Sequence, residues 1–306
     1  MRIRRSEETL SALFANGEVP GFLHLSLGQE AVAAGVMSAL SETDTIASNH
    51  RGHGHSLAKG MSIDAFFAEI FGREDGLCKG RGGSMHVADM SLGMLGANGI
   101  VAAGVPICLG SALAHRIRRN SAISAAMFGD GAMAEGVVHE SFNLARLWEL
   151  PVLFVCENNG WAEFRPTSKQ IAFRLEDLAA TFGLPYRCVD GNDVFAVAEA
   201  SAAIVETCRA GQPAVLECMT TRVRGHYEGD SQRYRDGADD GAADDRDPLA
   251  IAERALRELG VEDAVLAGVR AEVDREVAAA TDFARNSAHP SIADALSGVY
   301  ASAGAA

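Results

Sequence analysis

Two short turns carry the residue types best suited to chemistry. Gly129-Asp130-Gly131 closes one apolar run, and Asn158-Asn159-Gly160 closes the next. Asp130 offers a carboxylate and Asn159 an amide oxygen, the hard donors that Mg²⁺ takes in small number while keeping phosphate oxygens in its shell. The glycines let the backbone approach a phosphate, and a helix beginning just beyond offers free N–H groups and a positive dipole end. Taken singly, Asp-Gly and Asn-Gly read equally well as ordinary turns. Together, with a strand, a helix and a strand between them, they form a candidate site for Mg²⁺ and a diphosphate. His50, His53 and His55 are a second cluster. A transition-metal site there is disfavoured, because no cysteine or carboxylate lies nearby in sequence.

The elements that must position these turns alternate. Ile123–Phe128 and Pro151–Glu157 are short apolar runs, and 135–148 between them has helical spacing. A helix near 176–182, a strand at 186–189, a helix at 194–209 and a strand at 214–219 continue the pattern. Strands separated by helices of this length make right-handed βαβ units, so the fold expected is α/β, a doubly wound, mostly parallel sheet with flanking helices. Ligands of such sheets bind off the carboxyl ends of the strands. Helices are also expected at 5–16, 29–40, 62–71 and 101–119. Residues 48–60 are too glycine-rich for a definite element, and 72–99 reads as largely irregular. One α/β domain is expected over 1–235. Residues 236–306 comprise an acidic solvated loop (236–247) and a helical C-terminal extension (248–259 and 262–284) packed on the same domain.

Composition narrows the function. The 306 residues carry 27 Lys and Arg against 41 Asp and Glu, a net charge of −14. Such a surface repels nucleic acid and anionic lipid, so neither is an expected partner. No apolar run is long enough to span a bilayer. The basic start leads into acidic residues and not into a signal-peptide core, which points to a cytoplasmic location. The six cysteines are too widely spaced for a metal knuckle or a disulfide lattice and are expected to be small buried thiols. Thirty-two glycines, many of them between 72 and 136, suggest backbone brought close to a ligand. No Gly-x-Gly-x-x-Gly follows the first strand and no P-loop occurs, which counts against a dinucleotide-binding oxidoreductase.

Gly129-Asp-Gly131 with Asn159 further on resembles the thiamine-diphosphate fingerprint. Gly21-Phe-Leu-His-Leu-Ser-Leu-Gly-Gln-Glu30, His50-Arg-Gly-His-Gly-His55, Gly82-Gly-Ser-Met-His86, Gly99-Ile-Val101 and Arg224-Gly-His226 resemble the α subunit of the E1 component of 2-oxo acid and acetoin dehydrogenase complexes. Gly76-Leu-Cys-Lys-Gly80, Gly93-Met-Leu-Gly-Ala-Asn98 and Gly225-His-Tyr-Glu-Gly-Asp230 look most like the acetoin type. The resemblance implies the thiamine-diphosphate-binding fold, with thiamine diphosphate and Mg²⁺ as cofactors. It implies that Asp130, Asn159 and the main-chain carbonyl of Trp161 hold the cation. Gly129, Gly131, Ala132 and Arg51 then meet the diphosphate, Arg51 through a planar charged fork. Gly99 and Val101 touch the aminopyrimidine through their backbone. His226, His24 and His53 are the candidate catalytic groups, with His226 also contacting cofactor and His53 organising its turn. His50 is a further cofactor contact, standing where relatives more often carry tyrosine. His86 and His115 are expected to be structural, and Glu30 to open a helix. The implied activity is E1 acetoin cleavage, with transfer of the two-carbon unit to a lipoyl-bearing E2 acyltransferase. Decarboxylation of pyruvate or another 2-oxo acid is the alternative, and an inactive scaffold subunit the reading outside that class. No second α/β domain is present to supply the pyrimidine half of the site, so an E1 β subunit in an α2β2 heterotetramer is the implied partner.

Overall fold

The computed structural model describes residues 1–235 and 244–295. Helices α1 (Arg2–Ala15) and α2 (Glu30–Ala39) lead to strand β1 (Thr45–Ala47), helices α3 (His53–Ala58) and α4 (Ile63–Ile70), and strand β2 (Met94–Gly96). Helix α5 (Gly104–Arg118), strand β3 (Ser124–Gly129), helix α6 (Gly136–Leu147) and strand β4 (Val152–Asn158) follow. A small hairpin, β5 (Trp161–Ala162) and β6 (Arg165–Pro166), precedes α7 (Leu175–Thr181), β7 (Tyr186–Asp190), α8 (Val194–Arg209) and β8 (Ala214–Met219). Helices α9 (Pro248–Glu258) and α10 (Asp263–Asn286) come last among the long elements. Most of the acidic segment expected at 236–247 lies outside the described residues.

The main sheet is all parallel, in the order β2-β1-β3-β4-β8-β7. Both of its faces are covered, so its central strands are continuously apolar. Ala125, Met127, Leu153 and Val155 point into one core with α1, α2, α4, α8 and α10. Ala126, Phe128, Val152, Phe154 and Cys156 point into the other with α5, α6 and α7. Side-chain alternation along each strand thus feeds two separate cores. Helix α10 packs on α4 and α1, and its Glu276 and Asp274 pair with Arg2 (2.8 Å) and Arg5 (2.6 Å). No helix among the described residues is long and apolar enough to cross a membrane.

Residues 72–99 are largely irregular as expected, with the short β2 inside them, whereas 48–60, left without a definite element, contains α3, and β1 lies just before it. Each of these strands is three residues long, too short to leave a periodic pattern, and main-chain bonds such as Ile46 N–H to Gly93 O (2.8 Å) define them. Helix α3 (His-Gly-His-Ser-Leu-Ala) has poor intrinsic propensity, which burial of its first five residues overrides. Finally, Cys188 is exposed on the edge strand β7 and Cys78 is half-buried, while the other four thiols are buried as expected.

Candidate functional site

The chain reverses its direction of travel across the sheet between β1 and β3. β2 lies on one side of β1, and all later strands lie on the other. A crevice must open outside the carboxyl ends at such a switch point. A cavity of about 370 Å³ occupies it. Five strand ends supply its lining: β2 leads to Gly99, Ile100 and Val101, and β1 to His50 and Arg51. β3 leads to Asp130, Gly131 and Ala132, β4 to Asn159 and Trp161, and β8 to Arg222 and His226. Gly129, His24, Gln29 and Met85 also line it, as do the acidic Glu135, Glu157 and Glu163.

The β3–β4 register sets Gly129 opposite Glu157, which brings the residues just beyond these tips together. The Asn159 main-chain N–H reaches the Asp130 carboxylate. Asp130 is 1% exposed; the Thr167 hydroxyl donates to one of its oxygens, while Oδ1 is buried with no hydrogen-bond partner among the described residues. Burial pushes its pKa up to about 6, against the opposing hydrogen bond from Thr167. A buried carboxylate with an unmatched oxygen calls for a cation. The Asn159 amide donates to Gln29 Oε1 (2.8 Å), and its oxygen accepts from Trp161 N–H (3.1 Å), retaining a second lone pair. Among the described residues no group of three His, Cys, Asp or Glu is placed to hold an ion. One carboxylate, one amide oxygen and a main-chain carbonyl form a donor set that suits Mg²⁺ carrying phosphate oxygens, not Zn²⁺. The residues fit the implied cation.

Two buried guanidinium groups face the same cavity. Arg51 donates to the Leu25 carbonyl and to the His226 carbonyl (3.1 Å), and burial, with Arg222 nearby, lowers its pKa to about 10. Arg222 donates to the Glu163 carbonyl (3.0 Å) and Tyr234 Oη (3.2 Å), and its Nε has no hydrogen-bond partner among the described residues. Burial, with Arg235 beside it, lowers its pKa too. Neither pairs with a carboxylate among the described residues. Uncompensated buried charge is costly unless a ligand supplies the counterion, and a diphosphate fits the planar forks.

His24, His50 and His226 form a ring cluster, with centroids 4.9, 5.0 and 5.2 Å apart. Burial first and Arg51 second lower their pKa values to about 3, 2 and 4 respectively. All three are therefore neutral near pH 7, able to donate through one nitrogen and accept through the other. Asp230 anchors the His226 loop by accepting its main-chain N–H (2.8 Å).

The expected site residues come together with one exception. His53 does not line the cavity. Its Nδ1 meets Glu7 Oε2 (3.0 Å) and its Nε2 meets Ser84 Oγ (2.9 Å), so both nitrogens are engaged in the protein interior. His55 likewise sits between Ser48 Oγ (2.7 Å) and Glu157 (3.2 Å), which disperses the histidine trio. Glu30 opens α2 and pairs with Arg4. Sequence reasoning missed Arg222. Arg222 is 2% exposed and lines the cavity, whereas Arg224, two residues on and part of the Arg224-Gly-His226 motif, is exposed. The alternation of side chains beyond a buried strand end was the available signal. The glycines from 76 to 83 do not line the cavity either.

Residues 1–293 match the dehydrogenase E1 component family. The alpha subunit of acetoin:2,6-dichlorophenolindophenol oxidoreductase from Bacillus subtilis (strain 168) is 43% identical over 307 residues, covering 99% of this chain and 91% of the relative. The subunit of the same description from Cupriavidus necator is 44% identical over 309 residues, covering 98% and 91%. The pyruvate dehydrogenase E1 component subunit alpha of Zymomonas mobilis is 40% identical over 294 residues, covering 95% and 83%.

Proposed function

The chain belongs to the dehydrogenase E1 component family, and from that premise we propose that it is the α subunit of a thiamine-diphosphate- and Mg²⁺-dependent E1 enzyme that cleaves acetoin. The two-carbon unit passes to the lipoyl group of an E2 acyltransferase. One observation carries the reading: an unsatisfied buried carboxylate and two uncompensated buried guanidinium groups share one cavity at the switch point of the sheet. Relatives named for acetoin, matching nearly the whole chain, support the substrate. Pyruvate is the second reading, favoured by the relatives named for it.

Asp130, Asn159 and the Trp161 carbonyl would hold Mg²⁺, while Arg51, Arg222 and the backbone at Gly131 and Ala132 would meet the diphosphate. Gly99 and Val101 would contact the pyrimidine end. Thiamine diphosphate, once bound, would supply a carbon nucleophile and an electron sink for C–C cleavage. Arg51 and Arg222 would offset the charge of the diphosphate. Neutral His226 and His24 are placed to donate or accept a proton at the substrate oxygen, with His50 beside them. Ile100 (73% exposed) and Val101 (47%) lie bare at the mouth of the cavity, where a β subunit in an α2β2 assembly would cover them. A cytoplasmic location belongs to the same proposal, supported by the six free cysteines. The test is to co-express the chain with a β subunit and follow dichlorophenolindophenol reduction with Mg²⁺ and thiamine diphosphate. Acetoin should turn over faster than pyruvate. A properly assembled complex inactive on acetoin, pyruvate and other 2-oxo acids refutes the proposal.

A further inference from the structure

The glycine-rich segment after α4 wraps a side chain of the protein itself. The Glu69 carboxylate is fully buried near the end of α4 and accepts four main-chain N–H bonds. Oε2 accepts from Cys78 (2.7 Å) and Gly80 (2.9 Å), and Oε1 from Gly82 (2.7 Å) and Gly83 (3.0 Å). An ionised carboxylate is acceptor-only, so four converging donors suit it and no neutral isostere. A Cβ at Gly76 would fall 2.5 Å from Oε2, and one at Gly82 would fall 2.7 Å from the His86 carbonyl oxygen. Glycine is required there for the chain to close around the carboxylate.

The far end of this loop has its own anchor, the Ser84–His53–Glu7 chain of hydrogen bonds. Met85 follows directly and enters the cavity wall beside Gly99, Ile100 and Val101. The two segments touch, since a Cβ built on Gly99 would meet Met85 Sδ at 3.7 Å and His86 Nε2 at 3.8 Å. None of the loop glycines approaches Asp130 or Arg51 closely enough to line their part of the cavity.

We infer that Glu69 is a positioning residue for the pyrimidine end of the cofactor site: its carboxylate fixes the 78–86 loop, and the loop holds Met85 against Gly99–Val101. The inference rests on the cofactor reading above and predicts that the two ends of the ligand respond differently to one substitution. Glu69→Gln turns one acceptor oxygen into an NH₂ group that faces two N–H donors. In the assembled α–β complex with Mg²⁺, calorimetry should show thiamine diphosphate binding about tenfold more weakly in the variant. Inorganic pyrophosphate, which reaches only the cation end, should bind within about twofold of wild type. Equal weakening of both ligands would mean a general structural lesion and overturn the inference, as would unchanged thiamine diphosphate binding. Ser84→Ala removes one bond at the other anchor, so it serves if the first variant fails to assemble. It should weaken thiamine diphosphate about threefold and leave pyrophosphate alone, and any other pattern counts against the inference. A wild-type complex that binds neither ligand refutes the cofactor reading, and this inference falls with it.

Discussion

Asp130→Asn should make the metal-free chain more stable while abolishing its ligand binding. Burial moves the Asp130 carboxyl from an ordinary 3.8 to about 6. The folded pKa lies above the unfolded one, so the folded chain retains a proton that the unfolded chain releases between these two values. Stability attached to this group is therefore greatest in acid, falls as pH rises through that window, and stays low above it. At about 1.4 kcal/mol per pH unit, the ionised carboxylate costs the metal-free fold about 3 kcal/mol at pH 8. An amide of the same shape escapes that cost. Urea unfolding of the chain without Mg²⁺ or cofactor should then show the variant about 3 kcal/mol more stable at pH 8, with about half that difference left at pH 5 and little of it at pH 4. Mg²⁺ and thiamine diphosphate at about a thousand times their Kd should reverse the order, because a ligand at that excess adds about 4.1 kcal/mol to the protein that binds it. A variant no more stable than wild type at pH 8, or a difference that does not shrink in acid, refutes the picture of an uncompensated carboxylate awaiting a cation.

Arg222→Gln keeps the length and loses the charge, so Mg²⁺–thiamine diphosphate should bind about 10- to 100-fold more weakly by calorimetry, with Arg222→Lys intermediate. Unchanged affinity would remove Arg222 from the site. His53→Ala strands buried oxygens of Glu7 and Ser84 and should lower unfolding free energy by about 2 to 4 kcal/mol, with Mg²⁺–pyrophosphate affinity unchanged. A fully stable His53→Ala enzyme deficient only in turnover would return His53 to the catalytic groups.

The parts of the site legible in the sequence were those that terminate long buried strands. β3 and β4 are apolar on both faces, so each announces its end at a polar turn, and parallel pairing then places Asp130 beside Asn159. β1 and β2 are defined by their neighbours' hydrogen bonds and carry no pattern of their own, so the Gly99–Val101 wall could be assigned only by resemblance. Arg222 and Arg224 are two residues apart and chemically identical, and only burial after β8 separates them. Glu69 was invisible for a different reason. A single glutamate in an amphipathic helix reads as solvent-facing, and its four donors are main-chain groups that no side-chain pattern records. The glycines that surround it were seen and their ligand misjudged.

β8 is the last strand of the sheet in sequence, yet it lies between β4 and β7. During synthesis the strands made earlier must wait with a gap at that position, leaving β4 with an unpaired edge until residues 214–219 have left the ribosome. Open edges of this kind invite pairing with other chains. Because the segment that bears Arg222 and His226 is continuous with β8, closing the gap and completing the pocket are one event. A nascent or truncated chain lacking this strand is thus both prone to aggregate and unable to be rescued by its own ligand.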